Sequence, residues 1–131
     1  MAEWHFFTLA RREDERGILS AIESGKDVPF GIKRVFYLYK MKKGATRGSH
    51  AHKTCEQAFL CLNGSFTITL DNGKKKEKKK LASPSEGVYV PARTWVELTS
   101  FSSDAVVLVL CSHLYDEKDY VRDYGELRNG V

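Results

Sequence analysis

The stretch Ser65-Phe66-Thr67-Ile68-Thr69-Leu70 alternates polar and apolar side chains along its whole length. Successive side chains of a β-strand point to opposite faces, so this pattern predicts a strand with one buried and one polar face. The dipeptide Asn63-Gly64 precedes it and favours a two-residue turn from a predicted strand at 56–62. The sequence therefore predicts a β-hairpin in the middle of the chain.

Further short strands are predicted on both sides of this hairpin, separated by turn signals and without an internal repeat. Asn72-Gly73 turns the chain into a lysine-rich arm. The segment 105–111 is apolar on both faces, which predicts a central strand. Around nine short strands favour an all-β fold, and a closed jelly-roll barrel would protect its edge strands. The remaining predicted strands are 4–9, 18–22, 31–41, 88–91 and 94–99.

The C-terminal tail at 116–127 is charged, and its larger apolar and aromatic side chains recur at roughly helical spacing. These side chains are Tyr120, Val121, Tyr124 and Leu127. The spacing predicts one short C-terminal helix packed on the barrel.

Composition and charge narrow the possible function classes. The chain has 131 residues, 42% of them hydrophobic, which is enough for the core of one domain spanning 1–131. Its net charge of +4 is local, because six lysines and one glutamate at 74–80 contribute +5 and the other residues −1. These lysines lack the interleaved aromatic or arginine side chains of a nucleic-acid site. We therefore interpret this segment as a solvated hairpin arm and expect no nucleic-acid partner.

The expected location is the cytoplasm. No apolar segment approaches the length of a membrane span, and the N-terminus does not resemble a signal peptide. The three cysteines are an odd number without CxxC spacing, which suits a reducing compartment. Cys61 and Cys111 lie in apolar runs and are expected to be small buried hydrophobes.

The stretch Arg47-Gly48-Ser49-His50-Ala51-His52 carries the chemistry that the sequence offers most clearly. His50 and His52 are two positions apart on a predicted strand, so both imidazoles point to one face and into the predicted barrel cavity. Two such imidazoles can bind a metal or transfer protons. We favour a functional role for the pair over simple packing.

The spacing around the two histidines fits the first motif of the cupin superfamily of small jelly rolls, many of which hold a metal. Five residues separate Gly44 from His50, and three residues separate His52 from Glu56. A metal-binding cupin supplies a further histidine from a second motif, but the corresponding stretch Pro91-Ala92-Arg93-Thr94-Trp95-Val96 contains none. His50, His52 and Glu56 could still hold non-haem iron in principle, but the missing ligand favours a site without metal.

The sequence as a whole resembles the dTDP-sugar 3,4-ketoisomerases, the WxcM-like branch of the cupins that makes deoxysugar precursors for bacterial surface glycans. The resemblance covers most of the chain, and the His-Ala-His segment together with the tail makes it specific. The similar segments are 16–23, 29–37, 47–57, 62–65, 83–90, 101–104 and 115–124.

The resemblance implies an isomerase that moves a carbonyl from C4 to C3 of a dTDP-4-keto-6-deoxyhexose without a metal or redox cofactor. The C3 proton is acidic because it is α to the ketone, so a base can remove it to form an enediol or enediolate, and a proton then returns at C4. Imidazole, with an unperturbed pKa of about 6.5, suits both steps. The sequence does not decide which of His50 and His52 does which.

Other candidate site residues follow from the same reaction. Tyr37 is a candidate third catalytic group that donates to the carbonyl or relays a proton. Arginine suits a diphosphate because its planar fork makes paired hydrogen bonds. Arg47 is the leading candidate for substrate binding, and the others are Arg16, Arg34 and Arg93.

The resemblance also implies a homodimer that exchanges N-terminal strands between its subunits. One departure from the family concerns Val96, since many members have histidine at this position, and it leaves the C4 configuration of the product open. Three alternative functions remain: a dTDP-sugar 3,5-epimerase, a non-catalytic cupin that binds a ligand, and an iron-dependent oxygenase.

Overall fold

The computed structural model describes residues 3–129, which form two facing five-stranded antiparallel sheets and a separate two-stranded hairpin. The first sheet contains β1 (His5–Thr8), β4 (Arg34–Leu38), β6 (Gln57–Asn63), β9 (Glu86–Val90) and β11 (Val106–Cys111), in the order β1-β9-β6-β11-β4. The second contains β5 (Arg47–His52), β7 (Phe66–Asp71), β8 (Lys76–Leu81), β10 (Trp95–Thr99) and β12 (Tyr120–Val121), in the order β12-β5-β10-β7-β8. The hairpin pairs β2 (Arg12–Asp14) with β3 (Gly17–Leu19).

The core lies between the two sheets and follows the alternation seen in the sequence. Phe66, Ile68 and Leu70 on β7 are each 0% exposed, whereas the threonines between them are half-buried. They pack with side chains of β6, β9 and β11 from the opposite sheet, which confirms the all-β prediction. β11 lies between β6 and β4, as its apolar faces predicted, and Cys61 and Cys111 are buried as expected.

The hairpin predicted at Asn63-Gly64 is wrong, although both of its strands exist. β6 pairs with β9 and β11, and β7 pairs with β8 and β10, so the turn carries the chain from one sheet to the other. Hydrogen bonds to a second loop direct this crossing, because Ser65 and Ser102 bond reciprocally: each backbone N–H is donated to the other residue. The hairpin between β7 and the lysine-rich β8 is confirmed.

The single helix predicted at 116–127 is also wrong in extent. The segment forms a 3₁₀ turn at Glu117–Asp119, then β12, then a short helix α1 (Tyr124–Arg128). Asp116 caps the first turn by accepting from the Lys118 N–H, and Asp123 caps α1 by accepting from the Gly125 N–H. Two caps start two helical turns, and the residues between them extend to pair with β5. The strands predicted at 18–22 and 31–41 are shorter than expected, at Gly17–Leu19 and Arg34–Leu38.

Segments outside the barrel cover two of its surfaces. Leu9, Val28 and Phe30 pack on the outer face of the first sheet, in a second apolar cluster with Leu60 and Leu110. On the second sheet, the lysine-rich β8 forms an edge strand, which agrees with the solvated hairpin arm predicted from the sequence. Among residues 3–129, no helix has the length and apolar character needed to cross a membrane.

The buried face of β7 supplies a test of the fold. Replacing Ile68 with alanine should lower the free energy of unfolding by about 2–5 kcal/mol, because the remaining core cannot collapse fully around the cavity. Lys78→Ala, on the neighbouring β8 and exposed, should change it by about 0.5 kcal/mol or less. Urea denaturation measures both, and similar losses in the two variants would contradict this packing.

Candidate active site

A cavity of about 370 Å³ lies between the sheets, where β4 and β6 face β5, β10 and β12. Its apolar wall is formed by Phe36, Leu38, Phe59, Val96 and Leu98. Its polar lining consists of Arg34, Thr46, Arg47, His50, Gln57, Tyr120 and Arg122. The cavity thus combines an apolar wall with convergent polar groups, as small-molecule sites do.

A β-bulge in β5 brings Arg47 and His50 to the same cavity. Val96 of β10 pairs with His50 and the next residue, Glu97, pairs with Gly48, so Ser49 is an extra residue on β5. Gly48 and Ser49 both have positive φ angles, of 85° and 59°. An extra residue shifts the alternation by one, so side chains three positions apart share a face.

His50 is held as a neutral imidazole. Its Nδ1 lies 3.0 Å from the carbonyl oxygen of Gly48. Because a carbonyl can only accept, Nδ1 carries the proton and Nε2 is left with a free lone pair. Burial, followed by the proximity of His52, lowers the pKa of His50 to about 4. At neutral pH this side chain is therefore a base without a proton on Nε2.

His52 shares a face with His50 but does not line the cavity. The two rings meet edge to face, with centroids 5.1 Å apart, and Tyr120 contacts both rings at 4.8 and 4.4 Å. His52 is 7% exposed, and its Nδ1 lies 3.1 Å from Oδ2 of Asp119. The structure therefore places one histidine at the cavity and the other behind it.

Among residues 3–129, three arginines line the cavity and no acidic residue does. Arg34 and Arg47 were predicted from the sequence. Arg122 was missed as a binding residue, and it lies over the Tyr120 ring at 4.5 Å while donating to both oxygens of Glu117. Asp119 and Tyr120 were also missed as site residues. The available signal was the similarity of the 115–124 tail, which contains all three.

Three predicted site residues lie away from this cavity. Tyr37 is 60% exposed on the outer face of β4 and stacks on Tyr39, because its neighbours at 36 and 38 face the cavity. Arg16 lies at the turn between β2 and β3 and pairs with Asp14 at 2.6 Å. Arg93 donates its backbone N–H to the His52 carbonyl, but its side chain is not part of the cavity lining.

The residues do not fit the metal site of a cupin. Glu56 accepts a hydrogen bond from the Tyr89 hydroxyl at 2.5 Å, and it belongs to no candidate metal group within residues 3–129. The group that could approach an ion is His52, Cys55 and Asp119, whose ligand atoms lie within 4.8 Å of one another. However, both oxygens of Asp119 already accept two hydrogen bonds each. An ion would have to displace these donors.

Two facing antiparallel sheets with a histidine in the cavity between them define a cupin-type barrel protein. Residues 2–131 match the family described as FdtA: WxcM-like, C-terminal, and the chain belongs to this family. These two findings confirm the fold class and the family predicted from the sequence.

Three proteins to which this chain is similar are sugar 3,4-ketoisomerases. The chain is 48% identical over 118 residues to a TDP-4-oxo-6-deoxy-alpha-D-glucose-3,4-oxoisomerase from Aneurinibacillus thermoaerophilus, covering 90% of this chain and 85% of that protein. QdtA, a sugar 3,4-ketoisomerase from Thermoanaerobacterium thermosaccharolyticum solved in complex with TDP, is 38% identical with a TM-score of 0.93, covering 97% and 93% of the two chains. The WlaRB TDP-quinovose 3,4-ketoisomerase from Campylobacter jejuni is 39% identical with a TM-score of 0.94, covering 99% and 100%. The predicted isomerase class is thereby confirmed.

The protonation of His50 can be measured directly. Its ring resonances should titrate near pH 4, well below the ordinary value of 6.5, and assignment follows from their loss in His50→Asn. Between these two pH values the unfolded chain binds the proton and the folded chain does not, so acidification through this window should destabilise the fold. The His50→Asn variant should lose less unfolding free energy over the same window. A midpoint near 6.5 would contradict this environment.

Proposed function

We propose that this chain catalyses 3,4-ketoisomerisation of a dTDP-linked 4-keto-6-deoxyhexose by proton transfer without a metal. The observation that carries the proposal is His50, a neutral imidazole with a free Nε2 at a cavity lined by three arginines. The ketoisomerases named above support the same reaction, because they share the fold and more than a third of the sequence.

In the proposed reaction, Nε2 of His50 removes the proton from C3, and the electrons of the C3–H bond form a double bond between C3 and C4. The π electrons of the C4 carbonyl move to O4, and the proton of the O3 hydroxyl passes to O4. The electrons left on O3 then form the C3 carbonyl, the double bond between C3 and C4 opens, and C4 takes the proton from the imidazolium. One imidazole can serve both carbons because they are adjacent, so His52 need not reach the sugar.

The arginines suit the diphosphate of the nucleotide. Arg34 is on β4 of the first sheet, Arg47 is on β5 of the second sheet and Arg122 follows β12, and all three line the cavity. With no carboxylate among the described residues of the lining, the cavity favours an anionic ligand. Val96 pairs opposite His50 and offers no proton, so the C4 configuration depends on how the sugar presents its face to His50.

The reaction is tested with dTDP-4-keto-6-deoxyglucose, following the product by NMR. We expect the 3-keto sugar, and the same spectrum gives the C4 configuration. His50→Asn should lower turnover by about 10²–10⁴-fold while TDP still binds, because the base is lost and the arginines remain. His5→Asn, an exposed histidine on β1, is the matched control and should retain activity.

Each alternative gives a different result in this experiment. Unchanged substrate with normal TDP binding would indicate a non-catalytic cupin. Deuterium incorporation at C5 in D₂O would indicate the epimerase. Activity that requires added iron would indicate the oxygenase.

We also propose that the protein is a homodimer with exchanged N-terminal strands. β1 lies at the edge of the first sheet and pairs with β9. In a dimer, β1 of each subunit would pair in the same register with β9 of the other subunit. At the other edge, β4 exposes Val35 and Tyr37, both more than half accessible. An apolar face of this kind is typical of an interface.

Light scattering coupled to size-exclusion chromatography tests the assembly. The measured mass should be twice that of the chain, and Val35→Lys should shift it toward the monomer if β4 contributes to the contact. Lys78→Ala, on the opposite sheet, should leave the mass unchanged. A monomer at micromolar concentration would contradict the dimer.

The cysteines support a cytoplasmic location, which we also propose. Cys55, Cys61 and Cys111 are all free and buried, and free thiols persist in a reducing compartment.

A further inference from the structure

Asp119 lies outside the cavity but contacts the histidine behind it. Its carboxylate meets the imidazole of His52, and His52 in turn meets His50 edge to face. These three side chains form a continuous row from the C-terminal segment to the cavity. The proposed reaction uses only the last of them directly.

The carboxylate of Asp119 is fixed by four donors from the residues that follow β5. Oδ1 accepts from the N–H of Thr54 at 2.9 Å and from its hydroxyl at 2.6 Å. Oδ2 accepts from the N–H of Cys55 at 3.1 Å and from Nδ1 of His52 at 3.1 Å. Burial acts to raise the pKa of Asp119, but these hydrogen bonds outweigh it and hold the pKa below its ordinary value. The carboxylate is therefore ionised at neutral pH.

An ionised carboxylate can only accept, so Nδ1 of His52 carries a proton. This fixes the tautomer, and the Tyr120 ring at 4.4 Å limits the rotation of the imidazole. In residues 3–129, Nε2 of His52 is the one buried side-chain nitrogen or oxygen atom without a hydrogen-bond partner. His52 is thus held by Asp119 on one side and presents its ring to His50 on the other.

We propose that Asp119 is a positioning residue that acts through His52 to hold the His50 imidazole in place for proton transfer. This inference rests on the proposed isomerisation. Within the part of the chain that the structure describes, the His50 ring has one hydrogen bond, to Gly48, and ring contacts with His52 and Tyr120. A base displaced by a fraction of an ångström loses rate more than it loses ligand affinity.

Asp119→Asn is the informative substitution because it keeps the shape and removes the charge. An amide has one oxygen, whereas four donors converge on the carboxylate, so one amide orientation directs its NH₂ group at His52 and the other directs it at Thr54. We expect kcat to fall roughly 100-fold, while KM and the Kd for TDP change by less than about threefold. The His52 ¹⁵N shifts should show an Nδ1–H tautomer in the wild type and a changed population in the variant.

Asp116→Asn is the matched control. It makes the same change three residues earlier, where the side chain accepts from the Lys118 N–H at the start of the 3₁₀ turn. Asparagine caps a helical turn about as well as aspartate, so activity and the His52 tautomer should remain as in the wild type. Asp119→Glu, which keeps the charge, should recover part of the lost kcat.

The outcomes distinguish failure of this proposal from failure of the proposed isomerisation on which it rests. Unchanged kcat and tautomer in Asp119→Asn would overturn it, as would an equal loss of kcat and TDP affinity, which indicates a structural role only. If that variant does not fold, Thr54→Val removes one of the four donors and should lower kcat in the same direction, and no effect would overturn the proposal. An inactive wild type would instead refute the isomerisation, and the ¹⁵N measurement would still test the contact with Asp119.

Discussion

The backbone of β5 passes that of β10 so closely at Gly48 that a Cβ atom there would lie 2.7 Å from the Val96 carbonyl oxygen. Only glycine fits this approach, and its φ of 85° is one that side chains disfavour. The approach lies at the β-bulge, and the bulge turns Arg47 toward the cavity that His50 also faces. The Gly48 carbonyl also accepts from His50 and so selects the nitrogen that remains basic. The bulge at this close backbone contact thus brings the positive charge of Arg47 to the cavity and fixes the tautomer of His50.

Two chemically identical side chains acquire different properties in this barrel. His50 and His52 share a strand face, but one contacts a neutral carbonyl and the other an ionised carboxylate. A carbonyl adds little charge, so burial dominates at His50 and favours its neutral form. At His52 the neighbouring carboxylate fixes the protonated nitrogen, and Nε2 is buried without a hydrogen-bond partner among the described residues. The spacing in the sequence indicated that the two histidines could act together. Their different contacts in the structure give them different roles.

Features that depend on neighbouring residues could be predicted from the sequence, whereas features that depend on residues far along the chain could not. Alternation in 65–70 and the shared face of the two histidines are local consequences of strand geometry, so they were predicted correctly. The hairpin predicted at Asn63-Gly64 was wrong because Ser102, nearly forty residues later, directs the chain to the other sheet. The outward position of Tyr37 was not predicted, because alternate residues of β4 face opposite sides of the sheet and the sequence of the strand does not show which set faces the cavity.

The tail shows why the most distant part of the site was the hardest to predict. Helical spacing was a real property of the sequence, but pairing of Tyr120 and Val121 with β5 overrides it. That pairing supplies an aromatic wall for both histidines, brings Asp119 to His52, and places Arg122 at the cavity.

Arg122 and Tyr115 lower the pKa of Glu117 to about 2, so this carboxylate remains an anion that neutralises Arg122. A diphosphate entering the cavity would therefore compete with Glu117 for Arg122, whereas no acidic partner of Arg34 or Arg47 lies in the cavity lining. The C-terminal segment thus serves as one wall of the site, with its own charges arranged around the residues it contributes.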